Sequence, residues 1–154
     1  MTILDALKAD HDEAKGLLKT ILTNKDGKKR GKLFAQFKTK LTAHSRAEEK
    51  VFYRPLEKTE EGKKEALEGA VEHDIVDRLL VDLSASRQPE AEKWTARCTV
   101  LQELLEHHIE EEERDFFKTA RKLFDAAALE KMGKAFAAEK SKLLGVSVHS
   151  AAAE

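Results

Sequence analysis

One phrase occurs twice in this chain. His44-x-x-x-Glu48-Glu49-x-x-Phe52-Tyr53 is echoed by His108-x-x-x-Glu112-Glu113-x-x-Phe116-Phe117. The apolar frame repeats with it: Phe37 and Leu41 precede the first histidine by seven and three residues, and Leu101 and Leu105 precede the second at the same offsets. A second pair runs in parallel, because His11-Asp12 before Leu17-Leu18 recurs as His73-Asp74 before Leu79-Leu80. Such a chain reads as two copies of one helix pair, each supplying a His and a His-x-x-x-Glu.

The apolar spacing supports helices throughout. Over residues 3–22, Leu4, Leu7, His11, Ala14, Leu18 and Ile21 fall at steps of three and four, with Thr2 and Asp5 as an N-terminal cap pair. A turn containing Asn24, Asp26, Gly27 and Gly31 follows, its basic residues expected in solvent. Residues 32–54 carry Phe34, Phe37, Leu41, His44, Glu48 and Val51 on one face, residues 60–84 carry His73 among Ala66, Val76 and Leu80, and residues 89–124 carry His108 and Glu112 among Leu101, Leu105 and Phe116. Pro55 and Pro89 punctuate these segments, Pro89 as a first helical residue. The expected fold is all-α, an up-down-up-down four-helix bundle with a shorter fifth helix over 126–144. Residues 1–145 form one domain in this reading, and 146–154, with His149, a mobile tail.

A carboxylate in a bundle core costs several kcal/mol unless it is paired or bound to a cation. Glu48 and Glu112 both stand in core register. Neutral imidazoles bring no positive charge, whereas a metal ion does. An i, i+4 spacing places His and Glu on one helix face, roughly 6 Å apart. One such pair means little in a charged helix; two in matching frames, with His11 and His73 in matching frames as well, point to metal. Four His and two Glu exceed the needs of one structural zinc and suit two ions of iron or manganese, bridged by Glu48 and Glu112 and by an oxo or hydroxo group.

His107 with Glu111 offers the same spacing as His108 with Glu112, and only the repeat frame favours the latter. The other members of Glu110–Glu113 read as a solvated run, Tyr53 as aromatic packing at a helix end, and Cys98 as a small buried hydrophobe. The 28 Lys and Arg are balanced by 29 acidic residues, so neither nucleic acid nor an anionic membrane is an expected partner. A single cysteine, no signal-like N-terminus and no long apolar run make the chain an expected cytoplasmic protein.

Asp10-His11-Asp12, the run from His44 through Tyr53-Arg54-Pro55-Leu56, Glu72-His73-Asp74, and the run from His107-His108 through Phe117, in this order and spacing, resemble the hemerythrin-like (HHE cation-binding) domain family over about residues 3–125. The resemblance implies a four-helix bundle around a non-haem diiron centre, with His11, His44, Glu48, His73, His108 and Glu112 as ligands. Oxygen-carrying hemerythrins have a further histidine four residues after the third-helix ligand; here that position is Asp77, whose repeat counterpart is Lys15. Aspartate can ligate iron, but the mismatch argues against it. The expected function is binding or sensing oxygen, peroxide or nitric oxide at an open iron position. Catalase-like or peroxidase-like turnover, or a structural or storage role for the metal, are the alternatives, so enzymatic activity is left open. No organic-substrate pocket and no protein partner are evident from sequence.

Overall fold

The computed structural model describes residues 1–145, so the expected tail with His149 lies outside the described residues. Five helices and no strand are found among the described residues. α1 spans Ile3–Thr23. α2 starts at Gly27–Glu48 and runs on without a break through a π turn, Glu49–Tyr53, and a last α turn, Arg54–Glu57. α3 is Lys63–Ala85. α4 is Glu92–Glu111, continued by a π turn, Glu112–Phe116, and by Phe117–Leu123. α5 is Ala126–Leu143. α1 to α4 form a ring of antiparallel neighbours, and α5 seats across α1 and α2.

The expected cap of α1 is present as a reciprocal pair: the Asp5 amide donates to Thr2 Oγ1 at 3.3 Å and the Thr2 amide to Asp5 Oδ2 at 3.0 Å. α2 begins earlier than its apolar spacing suggests, because Asp26 accepts from the amides of Lys28 and Lys29 and starts the helix there. Arg30 is therefore helical and not part of a solvated turn. It is buried, and its guanidinium donates to the carbonyls of Ile21, Asn24, Leu22 and Pro89 and to Thr95 Oγ1. This one side chain closes the open carbonyl end of α1 onto the start of α4. Pro89 precedes α4 instead of opening it, and α3 starts at Lys63 after a turn organised by Thr59.

The first π turn follows Glu48, and the second begins at Glu112. In each, an amide bonds five residues back, Arg54 to the Glu49 carbonyl and Phe117 to the Glu112 carbonyl. The extra residue lets two consecutive aromatics, Phe52-Tyr53 and Phe116-Phe117, both face the core, which a regular α turn would spread about 100° apart. Pro55 thus lies within one continuous helix, just after the widened turn, instead of between helices. The second π turn has no proline beside it, so proline is not the common cause.

Phe136 of α5 is buried against the edge of the His44 ring, with centroids 5.6 Å apart. Gly133 allows that approach, since a Cβ there would lie 2.6 Å from the Met1 carbonyl oxygen. No helix among the described residues is long and apolar enough to cross a membrane.

Candidate metal centre

The structure brings His11, His44, Glu48, His73, His108 and Glu112 into one layer at mid-bundle, all buried, with both glutamates 0 % exposed. The inner nitrogens of the four histidines surround the two carboxylates. His11 Nε2 is 3.1 Å from Glu112 Oε1 and His73 Nε2 is 3.2 Å from Glu48 Oε1, while within single helices His44 Nε2 is 3.7 Å from Glu48 and His108 Nε2 is 3.4 Å from Glu112. The two halves therefore interleave: the lone histidine of each half meets the glutamate of the other.

Every outer nitrogen meets a second carboxylate. His11 Nδ1 lies 2.8 Å from Glu113, His44 Nδ1 2.9 Å from Asp10, His73 Nδ1 2.6 Å from Glu49 and His108 Nδ1 3.0 Å from Glu72. The repeat is exact in sequence, since Glu49 and Glu113 follow the core glutamates, and Asp10 and Glu72 precede the lone histidines. Glu113 is thus not a solvated member of an acidic run. An Nδ1–H donated outward leaves Nε2 with a bare lone pair pointing inward, the tautomer that ligates a metal.

That arrangement sets lone pairs against lone pairs. Both oxygens of Glu48 and Oε1 of Glu112 are buried and accept no hydrogen bond. A cation between nitrogen and oxygen resolves the conflict, and two triads converge closely enough to hold one: His11, His44 and Glu48, and Glu48, His73 and His108, each with ligand atoms within 4.8 Å of one another. In the metal-free chain, protons take the cation's place. Burial favours the neutral His73 ring, yet Glu48 and Glu49 outweigh it and raise its pKa to about 9. Burial likewise opposes charge on His108 and His11, and Glu112, helped by Glu72 at His108 and by Glu48 and Glu113 at His11, raises both. Burial and the neighbouring Glu112 charge raise Glu48, whereas the facing imidazoles of His108 and His11, when protonated, overcome burial and hold Glu112 well below the usual range.

Tyr53 belongs to the site, which its reading as helix-end packing missed. It is buried, donates to Glu112 Oε2, and holds its hydroxyl 3.3 Å from His108 Nε2 and 3.4 Å from His73 Nε2. Burial and the Glu112 charge push the phenol well above its ordinary pKa. The repeat counterpart of Tyr53 is Phe117, which stacks on His11 as Tyr53 stacks on His73. Gly69 makes room for the hydroxyl: a Cβ there would lie 2.8 Å from Tyr53 Oη, and its repeat counterpart is Leu7. The site is symmetric in its histidines and glutamates and asymmetric in this phenol.

Asp77 stays outside, paired with Arg46 at 2.7 Å. His107 is exposed and forms, with Glu111 and Glu72, a smaller outer group. Cys98 is fully buried 10 positions from His108, and burial pushes its thiol up to about 11.

The histidine layer divides the core. Leu7, Phe52, Tyr53, Phe116 and Phe117 pack on one side, and Phe37, Leu41, Val76, Leu105 and Ile109 on the other. On the second side a cavity of about 210 Å³ reaches the four histidine rings. No such pocket was evident from the sequence; the structure has one beside the histidine layer.

Comparison with known proteins agrees with this geometry. The family model described as Hemerythrin HHE cation binding domain matches residues 2–120. A protein from Nostoc sp. named DNA nickase is 29% identical over 143 residues, which is 93% of this chain and 40% of that relative's length. No solved structure matches significantly.

Proposed function

Since the chain belongs to the family of hemerythrin HHE cation-binding domains, we propose that it is a non-haem diiron protein that binds or senses oxygen, peroxide or nitric oxide. The observation that carries the reading is the set of buried carboxylate oxygens on Glu48 and Glu112 that accept no hydrogen bond while four imidazoles aim inward at them. Imidazole and carboxylate donors suit iron, and six of them, with Glu48 and Glu112 placed between two sets of histidines, suit two ions better than one.

When bound, iron would supply a redox-active Lewis-acid centre with room for small oxidants or diatomic molecules. The chain's residues do the rest. Asp10, Glu49, Glu72 and Glu113 fix the ring orientation and tautomer of the four histidines. Phe117 and the ring of Tyr53 close one side of the layer against water, so an incoming molecule reaches it from the cavity side.

A second reading, turnover of peroxide, is favoured by Tyr53, whose hydroxyl is the O–H donor within the layer and could pass a proton to a peroxide oxygen. The name of the Nostoc relative describes a longer protein. A nickase role for this chain would call for a cationic strand-binding face, which its balanced charge does not favour.

Iron loading followed by absorption spectroscopy tests the proposal. The expected result is about two irons per chain and a spectrum that changes on adding oxygen, peroxide or nitric oxide. Bound iron with a spectrum indifferent to all three would refute small-molecule binding. Rapid oxygen release from peroxide would place the second reading first.

A further inference from the structure

We propose that the cavity beside the histidine layer is a binding site for a small, neutral, apolar organic molecule about the size of benzene. Its walls come from all four bundle helices: Leu17 of α1, Phe37 and Leu41 of α2, Val76 of α3, and Leu105 and Ile109 of α4. Its floor is the edges of His11, His44, His73 and His108. At about 210 Å³ it is larger than a diatomic molecule requires. An apolar cavity of about 150 Å³ stays dry and takes up benzene. The whole cavity is of the right order for a single ring, and ions held on the histidine floor would take up part of it.

Charge at the mouth selects for neutrality. The acidic and basic side chains lining the cavity are already paired with one another, Lys40 with Glu13 and Lys140 with Asp10. On the walls these pairs leave no unpaired charged side chain, so charge meets a ligand only at the histidine floor. Within the mouth, Ser45 and the histidines are the polar side chains; the remaining wall is hydrocarbon. A charged group lodged among these hydrocarbon walls would lose its hydration without a partner, so the walls favour an apolar, neutral body.

Binding rests on the cavity alone, whereas the consequence of binding rests on the diiron reading. Tyr53 and Phe117 seal the opposite side of the layer, so a molecule in the cavity lies on the same side as any small oxidant that enters. The cavity would then set which organic compound stands next to that oxidant.

Benzene is the probe. Titrated into the full chain, metal-free and iron-loaded, it should give saturable shifts centred on the methyl resonances of Leu17, Leu41, Val76, Leu105 and Ile109. Val76→Phe fills the cavity and should weaken binding at least tenfold, and Ala14→Leu serves as a second filling variant should the first fail to fold. No saturable shift up to the solubility limit overturns the proposal. So do shifts centred on exposed methyls such as Leu67 and Val71, or undiminished binding in a folded filling variant. Iron content measured on the same sample separates the two readings: benzene bound without iron retention would count against the diiron site alone, and iron retained without benzene binding against the cavity alone.

Discussion

Stripping the metal should make stability fall steeply as pH rises through neutrality, and restoring it should flatten the curve. In the metal-free chain His73 is raised from 6.5 to about 9, with burial overcome by Glu48 and Glu49. A group with a higher pKa folded than unfolded contributes stability that is complete below its unfolded pKa and lost as pH rises through its folded one. The window for His73 is therefore pH 6.5 to 9. At about 1.4 kcal/mol per pH unit, the contribution at stake is about 3 kcal/mol. His11 and His108 are shifted in the same direction and add slope of the same sign. Glu112, held low, reaches its full contribution below this window and does not offset the loss. For a chain of this size about 1 kcal/mol moves Tm by about 2–4 °C, so His73 alone should lower Tm by about 6–12 °C across the window. Thermal unfolding followed by circular dichroism on chelator-treated and metal-loaded protein measures it. A metal-free Tm that stays level or rises over this window would refute the charge balance described for the layer, as would an equal slope in the metal-loaded protein.

The outer carboxylates should matter to the metal though they do not touch it: Glu49→Gln or Glu113→Gln should weaken metal retention about 10–100-fold in a chelator competition, with helicity unchanged. Tyr53→Phe should keep its metal while slowing peroxide consumption by about 100-fold, and equal consumption would remove the phenol from the chemistry. Gly69→Ala should destabilise the chain by about 1–3 kcal/mol in urea unfolding, because its Cβ would sit 2.8 Å from Tyr53 and 2.9 Å from Phe116. That cost should exceed the helix-propensity gain of about 1 kcal/mol, and a stabilised variant would show that the ring does not occupy this position.

The repeat singled out the six residues that the structure gathers into one buried layer. Matching apolar frames separated His108 from His107, and the structure puts the first in the core and the second in solvent. The mismatch of Asp77 with Lys15 pointed away from the centre, and Asp77 indeed turns to Arg46. What escaped were features without a helical period. Glu49 and Glu113 sit in charge-rich stretches that look solvated, and their role emerges only where a facing helix delivers His73 or His11. A signal for the π turns was available: Leu41, His44, Glu48, Phe52 and Leu56 are buried at steps that lengthen to four, and two adjacent aromatics are buried at each turn, neither of which suits a 3.6-residue period. Arg30 lay in a basic run, so nothing local set its buried guanidinium apart from its exposed neighbours. The cavity is a void between four helices, and no single segment encodes it.

Anomalous scattering at the iron edge, from crystals of protein purified with iron, tests the central claim most directly. Two peaks in the mid-bundle layer are predicted, enclosed by the inner nitrogens of His11, His44, His73 and His108 and by the carboxylates of Glu48 and Glu112. A single peak there, none at all, or iron held instead at Glu72, His107 and Glu111 would contradict it.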